Sequence, residues 1–393
     1  MKLVDPVCHR VRKRILLRID TAGLDGFDKF RQVHDLRLRA QKLERACLHL
    51  ARPHAHSHPL HVGQAIKIES IDAFSEHLVL SEKENGLDQI EIMDLKTGLS
   101  HRVQFPEPVY SASVRDNHEF RTSTVGYSYE SLVTPPSVFD YDVSSGHSLL
   151  RKQKETPGGF DRSQYLSERI SATAADGVQI PISLVYKKGV QRDGRAPLIL
   201  AGYGAYGASV PLYFNTAGFW PGADPILPVL DRGVIYAFAH VRGGGELGEA
   251  WRDAGRLMQK MNTFTDFIAS AEYLIHQQFT SKDRLVIRGG SAGGLLVTAA
   301  VNMRPGLFKA VIAEVPFTDV LNDMLDASMP LTTSEYVEWG NPNKAPDFQY
   351  ILQYSPYENV KAQPYPQCWS EFRSMIARSA IGREQSSWQG SAR

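Results

Sequence analysis

Gly289-Gly290-Ser291-Ala292-Gly293-Gly294 is the stretch whose reading decides the fold of this chain. A short β-branched apolar run, Leu285 to Ile287, ends just before it, and a segment of helical spacing, Gly293 to Asn302, follows. Ser291 therefore falls on a strand-to-helix turn, where small neighbours are needed because the two elements nearly collide. The doubled glycines supply that room. A serine hydroxyl is a weak nucleophile, and such a turn presents it beside donors for a developing oxyanion. The N–H of Ala292, first in the helix, is one such donor, aided by the positive end of the helix. A phosphate-binding or purely structural turn is the other reading of the glycines alone; the flanking strand and helix favour the nucleophile.

Working outward, Leu198 to Ala201, Val234 to His240 and Ala310 to Ala313 are short apolar runs suited to buried parallel strands, and Asn262 to His276 has helical spacing. This alternation predicts a doubly wound, mostly parallel sheet of the α/β-hydrolase kind. Arg169 to Thr173 and Val178 to Tyr186 read as an entry hairpin around Asp176-Gly177. Before Tyr165 the texture is β-rich: Leu78 to Ser81 and Gln89 to Met93 flank Asn85-Gly86, a strong hairpin signal. Asp94-Leu-Lys-Thr-Gly98 and Asp142-Val-Ser-Ser-Gly146 repeat one turn 48 positions apart. That interval is a β-propeller blade period, or else two similar hairpin turns of another β-domain.

The composition excludes several classes. The 393 residues carry 44 basic and 43 acidic side chains, so no bulk field favours nucleic acid or a membrane surface. A small molecule or peptide is the expected partner. No run approaches the roughly 20 apolar residues of a membrane span, and Cys8, Cys47 and Cys368 suggest neither a disulfide framework nor a zinc cluster. A reducing, cytoplasmic setting is expected, with no cofactor and no metal. Residues 1–67 read as a divergent, poorly structured basic segment, with Arg10-Val-Arg-Lys-Arg14 and seven of the 13 histidines. Within it His54, His56, His58 and His61 suit a solvated loop better than a metal site, and its acids speak against a targeting peptide.

Four ordered motifs carry a resemblance. They are Gly202-Tyr203-Gly204-Ala205-Tyr206-Gly207, His240-Val-Arg-Gly-Gly-Gly-Glu-Leu-Gly248, the Ser291 stretch, and Tyr354-Ser-Pro-Tyr-Glu-Asn359. Together they resemble the prolyl oligopeptidase family, and within it the oligopeptidase B branch, to which Val315 to Val320, Leu331 to Glu335 and Glu338 to Pro342 are also similar. The resemblance implies that 68–165 is the C-terminal part of a β-propeller and 166–366 an α/β-hydrolase peptidase domain. It implies Ser291 as nucleophile, with the Tyr203 hydroxyl joining the Ala292 N–H in the oxyanion hole. It also implies a substrate pocket with Glu335 as one acid for an Arg or Lys side chain and Tyr206 as a wall. The second acid of that pocket falls at Val337, which weakens selection of a cation. His240 corresponds to a structural motif position.

The same resemblance implies a triad acid and histidine after the serine, yet no histidine follows Ser291. Asp319, Asp323 and Asp326 come too early for the acid. Residues 367–393 read as a divergent tail without the expected strand, so the hydrolase sheet is expected to be incomplete at its C-terminus. Both flanks are taken as foreign to the fold, as in a fragmentary or misassembled gene product. The expectation is a serine oligopeptidase for short basic peptides; a catalytically dead peptide- or protein-binding homologue and an esterase are the alternatives.

Overall fold

The computed structural model describes residues 66–216 and 225–371. The basic segment with its histidines, and the tail beyond Glu371, lie outside the described residues. The chain divides into two compact units: one comprises the residues up to Pro106 with Ser111–Glu130 and Pro136–Lys154, the other Glu107–Tyr110, Ser131–Pro135 and the residues from Glu155 on.

The first unit holds two four-stranded antiparallel sheets. β1 (Ile66–Ala73), β2 (His77–Glu84), β3 (Leu87–Asp94) and β4 (Ser100–Arg102) form one in sequential order; β5 (Tyr110–Val114), β6 (Thr124–Ser131), β7 (Ser137–Asp142) and β8 (His147–Gln153) form the other. Each is a meander of the kind that makes a propeller blade. Asn85 and Gly86 sit at φ 50° and 79°, the left-handed pair that a two-residue hairpin between β2 and β3 requires. The repeated turn has one physical basis in both copies. Asp94 Oδ1 accepts from the Lys96 and Thr97 N–H groups at 2.9 and 2.7 Å, and Asp142 Oδ1 accepts from Ser144 Oγ and the Ser145 N–H at 2.6 and 2.7 Å. These donors hold the Asp142 carboxyl down at about 2. Both turns join the third strand of a sheet to its fourth, which settles the repeat in favour of blades.

The second unit is built on a sheet ordered β15-β14-β13-β11-β12-β10-β9. β9 (Tyr165–Thr173) and β10 (Gln179–Lys187) are the antiparallel entry hairpin, and β10 pairs antiparallel with β12 (Ile235–Ala239). β11 (Leu198–Gly202), β12, β13 (Leu285–Gly290), β14 (Ala310–Glu314) and β15 (Gln367–Glu371) run parallel. The helices are α1 (Leu227–Leu230), α2 (Glu249–Asp253), α3 (Met261–His276), α4 (Ala292–Met303), α5 (Val320–Leu325), α6 (Thr332–Trp339) and α7 (Ala345–Leu352). Among the described residues none is long and apolar enough to cross a membrane.

Continuous apolar runs make these strands because both faces of a parallel sheet are covered. All five residues of β12 are buried, as are Leu198, Leu200, Leu285 and Ile287. α4 is buried from Ala292 to Val301, a helix apolar all round at the centre of the core. Arg242 ties distant segments: it forks onto Asp266 of α3 at 2.8 and 2.6 Å and reaches Asp176 in the β9–β10 turn at 2.6 Å.

One expectation is corrected. The chain after Pro366 is not without a strand: Gln367 to Glu371 pair with Ala310 to Glu314 in parallel register. Cys368 and Trp369 are exposed there, so the strand lacks the apolar pattern by which it would be read. Thr332, Thr333 and Ser334 lie inside α6, whose N-cap is Leu331 at φ 75° with no side-chain cap. Ser334 Oγ donates to the Leu331 carbonyl, and Thr332 Oγ1 to that of Asp323.

Candidate active site

From β11 the chain passes to β12 on one side and then crosses to β13 on the other. Connections diverge between β11 and β13, and in open α/β sheets the crevice at the carboxyl ends of such strands is where ligands bind. Tyr203 follows β11 at this point, and Ser291 follows β13.

Ser291 has φ 56° and ψ −118°, a backbone conformation rarely adopted by residues with a side chain. Its N–H donates to the Glu314 carbonyl at 2.9 Å, and its own carbonyl accepts from the Gly294, Leu295 and Phe317 N–H groups. The turn is therefore held from β14 as well as from α4. A Cβ on Gly289 would lie 2.0 Å from the Gly293 carbonyl oxygen, and one on Gly293 would lie 2.7 Å from that of Gly202. Strand, helix and the Tyr203 loop thus meet at distances that glycine alone allows. Ala292, as the first residue of α4, has an N–H with no acceptor inside the helix.

The Tyr203 hydroxyl lies beside that of Ser291. Burial pushes the Tyr203 phenol above its ordinary value, with the Ser291 contact acting the other way. A phenol so held stays protonated and can donate to an oxyanion. The expected pair of oxyanion donors and the nucleophile are thus brought together.

The expected pocket residues also converge. Glu335 accepts from the Trp339 indole N–H at 2.9 Å and lies beside the Tyr206 hydroxyl. The Tyr206 ring stands edge-on to Trp339, with centroids 5.5 Å apart. Burial first, then the nearby Glu335 charge, push the Tyr206 phenol upward. Val337 is exposed, and its carbonyl accepts from Arg256 at 2.9 Å.

His240 is not placed with Ser291. It is buried, with Nε2 2.8 Å from Ser183 Oγ and Nδ1 3.2 Å from Glu246 Oε1. Glu246 Oε1 in turn accepts from the Val210 N–H at 2.8 Å.

Sequence reasoning missed two buried charges beside the oxyanion loop. Lys260 donates to the Gly204 carbonyl at 2.6 Å, and Glu338 accepts from the Tyr206 N–H at 2.8 Å. Burial pulls Lys260 down to about 8, with the Glu338 charge opposing. The spacing of these residues carries no sign of either contact; the Glu338 motif entered only as a mark of the oligopeptidase B branch.

Two family descriptions match the chain: "Prolyl oligopeptidase family" over residues 223–369 and "Prolyl oligopeptidase, N-terminal beta-propeller domain" over residues 52–154. Dipeptidyl aminopeptidase BI of Pseudoxanthomonas mexicana is 43% identical over 300 residues, 76% of this chain and 40% of that protein. The structure of oligopeptidase B from Leishmania major aligns with a TM-score of 0.73 at 38% identity, covering 84% of this chain and 46% of that one. Oligopeptidase B from Trypanosoma brucei with covalently bound antipain, in its closed form, aligns with a TM-score of 0.69 at 41% identity, covering 78% and 43%. This chain thus spans less than half the length of the relatives it matches. With matches to both its blade-bearing and its hydrolase part, and with the serine elbow and its tyrosine in place, the chain belongs to the prolyl oligopeptidase family.

Proposed function

We propose that Ser291 is the acyl-accepting nucleophile of a serine-type oligopeptidase that acts on short peptides, with a basic side chain preceding the scissile bond. The observation that carries this reading is the strained Ser291 turn with the Tyr203 hydroxyl beside it. In the reaction Ser291 Oγ bonds to the substrate carbonyl carbon while its proton leaves. The carbonyl oxygen takes the negative charge and accepts from the Ala292 N–H and the Tyr203 hydroxyl. Collapse breaks the C–N bond, the amine leaves with a proton, and water hydrolyses the Ser291 ester. The covalent antipain adduct of the Trypanosoma brucei relative supports a route through a covalent intermediate.

No histidine follows Ser291 in these 393 residues. The oxyanion donors and substrate binding alone correspond to about 10³–10⁴-fold over water.

Selection of a basic side chain rests on Glu335. Its carboxylate already accepts from the Trp339 indole N–H, and Val337 adds no second charge. The preference for Arg over Leu peptides is expected to be modest, and Glu335→Gln to reduce it by about tenfold, equivalent to one partly solvated charge pair of roughly 1.4 kcal/mol. A fluorophosphonate probe with mass mapping tests the whole reading. Adduct on Ser291, with turnover of an Arg-containing peptide, supports it; turnover of simple esters without peptides makes the chain an esterase. Absence of any adduct leaves a peptide-binding protein of the same fold. Peptides with free and blocked N-termini separate endopeptidase action from dipeptide release.

A further inference from the structure

We propose that Lys260 and Glu338 are positioning residues that clamp the Gly202–Gly207 loop on either side of its bend and thereby hold the Tyr203 hydroxyl over Ser291. The inference rests on Tyr203 being an oxyanion donor.

Three observations carry it. Lys260 gives its Nζ proton to the Gly204 carbonyl, one residue after Tyr203, and Glu338 accepts the N–H of Tyr206, three residues after it. Both side chains are almost fully buried, at 2% and 1% exposure, and face each other electrostatically. The loop they grip bends through left-handed backbone: Gly204 and Tyr206 have φ 69° and 60°, and a left-handed tyrosine persists only where its surroundings enforce it.

Two buried charges are poor at adding stability, because desolvation offsets their attraction and apolar residues of equal volume serve as well. What they do well is direct a donor and an acceptor onto chosen backbone atoms. Here those atoms flank the tyrosine. Trp339 closes the assembly, with Lys260 Nζ 4.8 Å above its ring and its indole N–H on Glu335. One helix, α6, thus presents to the same loop a pocket acid, an aromatic ring and one arm of the clamp.

The test is a double-mutant cycle on the fluorophosphonate labelling rate of Ser291, with fluorine resonance as a second arm. Tyr203→Phe is expected to slow labelling about 100-fold, the loss of one oxyanion donor. Lys260→Met and Glu338→Ala are expected to slow it about tenfold in the native background, yet under twofold in Tyr203→Phe, because they act through the missing hydroxyl. Glu338→Gln keeps an acceptor for the Tyr206 N–H and is expected to stay within threefold of native; being nearly isosteric, it also carries the test if Lys260→Met does not fold. Equal losses in both backgrounds overturn the clamp, since a general loosening of the core gives that result. In the second arm, 3-fluorotyrosine at position 203 is expected to shift in Lys260→Met and Glu338→Ala, and not in Met258→Ala, an exposed neighbour of Lys260. A resonance unmoved by either charge substitution overturns the proposal. If the native chain takes no label at all, the reading of function fails, and the fluorine arm alone decides the clamp.

Discussion

The molecule contains two serines that can be compared directly, Ser291 and Ser183. Ser183 has what a triad is drawn as: a histidine nitrogen 2.8 Å from its hydroxyl and a carboxylate 3.2 Å from the other ring nitrogen. Ser291 has neither. Yet Ser183, His240 and Glu246 are all buried, at 0%, 1% and 3% exposure. Ser291 stands partly exposed at a strand-to-helix turn, with Tyr203 and the start of α4 alongside. Hydrogen-bond geometry among three side chains does not make a nucleophile; access for a carbonyl carbon and donors for its oxygen do. In the Ser183 set the same chemistry serves to join β10, the end of β12 and the Gly243–Gly248 loop.

The comparison breaks most sharply at the serines themselves. Ser291→Ala should abolish fluorophosphonate labelling, while Ser183→Ala should leave the labelling rate within about threefold, the neutral range for a distant site; label found on Ser183 would reverse the assignment. Next, His240→Ala should cost about 3 kcal/mol of unfolding free energy in urea, because it leaves Glu246 and Ser183 without their shared partner. Labelling of the protein that remains folded should be unchanged. Tyr203→Phe should show the opposite split: roughly 100-fold slower labelling, worth about 2.7 kcal/mol in the transition state, with little change in the urea midpoint. The smallest effect concerns the buried charge behind the Tyr203 loop. Lys260 is held at about 8 in the folded chain, below its ordinary value of 10.5. Between these values the unfolded chain binds the proton and the folded chain does not, so stability rises with pH across that window. From pH 8 to 9 the native protein should gain about 1 kcal/mol relative to Lys260→Met.

The legible parts of the fold were those with local causes. Asn85-Gly86, Asp94-to-Gly98 and the doubled glycines around Ser291 each act over a few residues, and each lies where the pattern placed it. The buried parallel strands were legible as apolar runs because both their faces are covered. β15 was not, since Cys368 and Trp369 face outward on a strand at the end of the sheet order. The clamp was illegible for a different reason. Lys260 and Glu338 meet backbone groups 56 and 132 positions away, and a bond to a carbonyl or an N–H leaves no residue type to read at the other end. The pocket around Glu335 came from resemblance, and the Trp339 indole bond to Glu335 with the edge-on Tyr206 ring supplies the physical reason for those residues to lie together.

The φ of 56° at Ser291 sets two demands on one residue against each other. Holding a side chain in such backbone costs the folded state about 1–3 kcal/mol, which glycine would not incur. Val315, β-branched and at φ 39°, adds a second strained residue immediately after β14, the strand that anchors the Ser291 N–H. The substitution that would most relax this turn is therefore the one that deletes the hydroxyl. Thermal robustness and nucleophilicity are opposed at a single dihedral angle, and the chain carries the choice that favours reactivity.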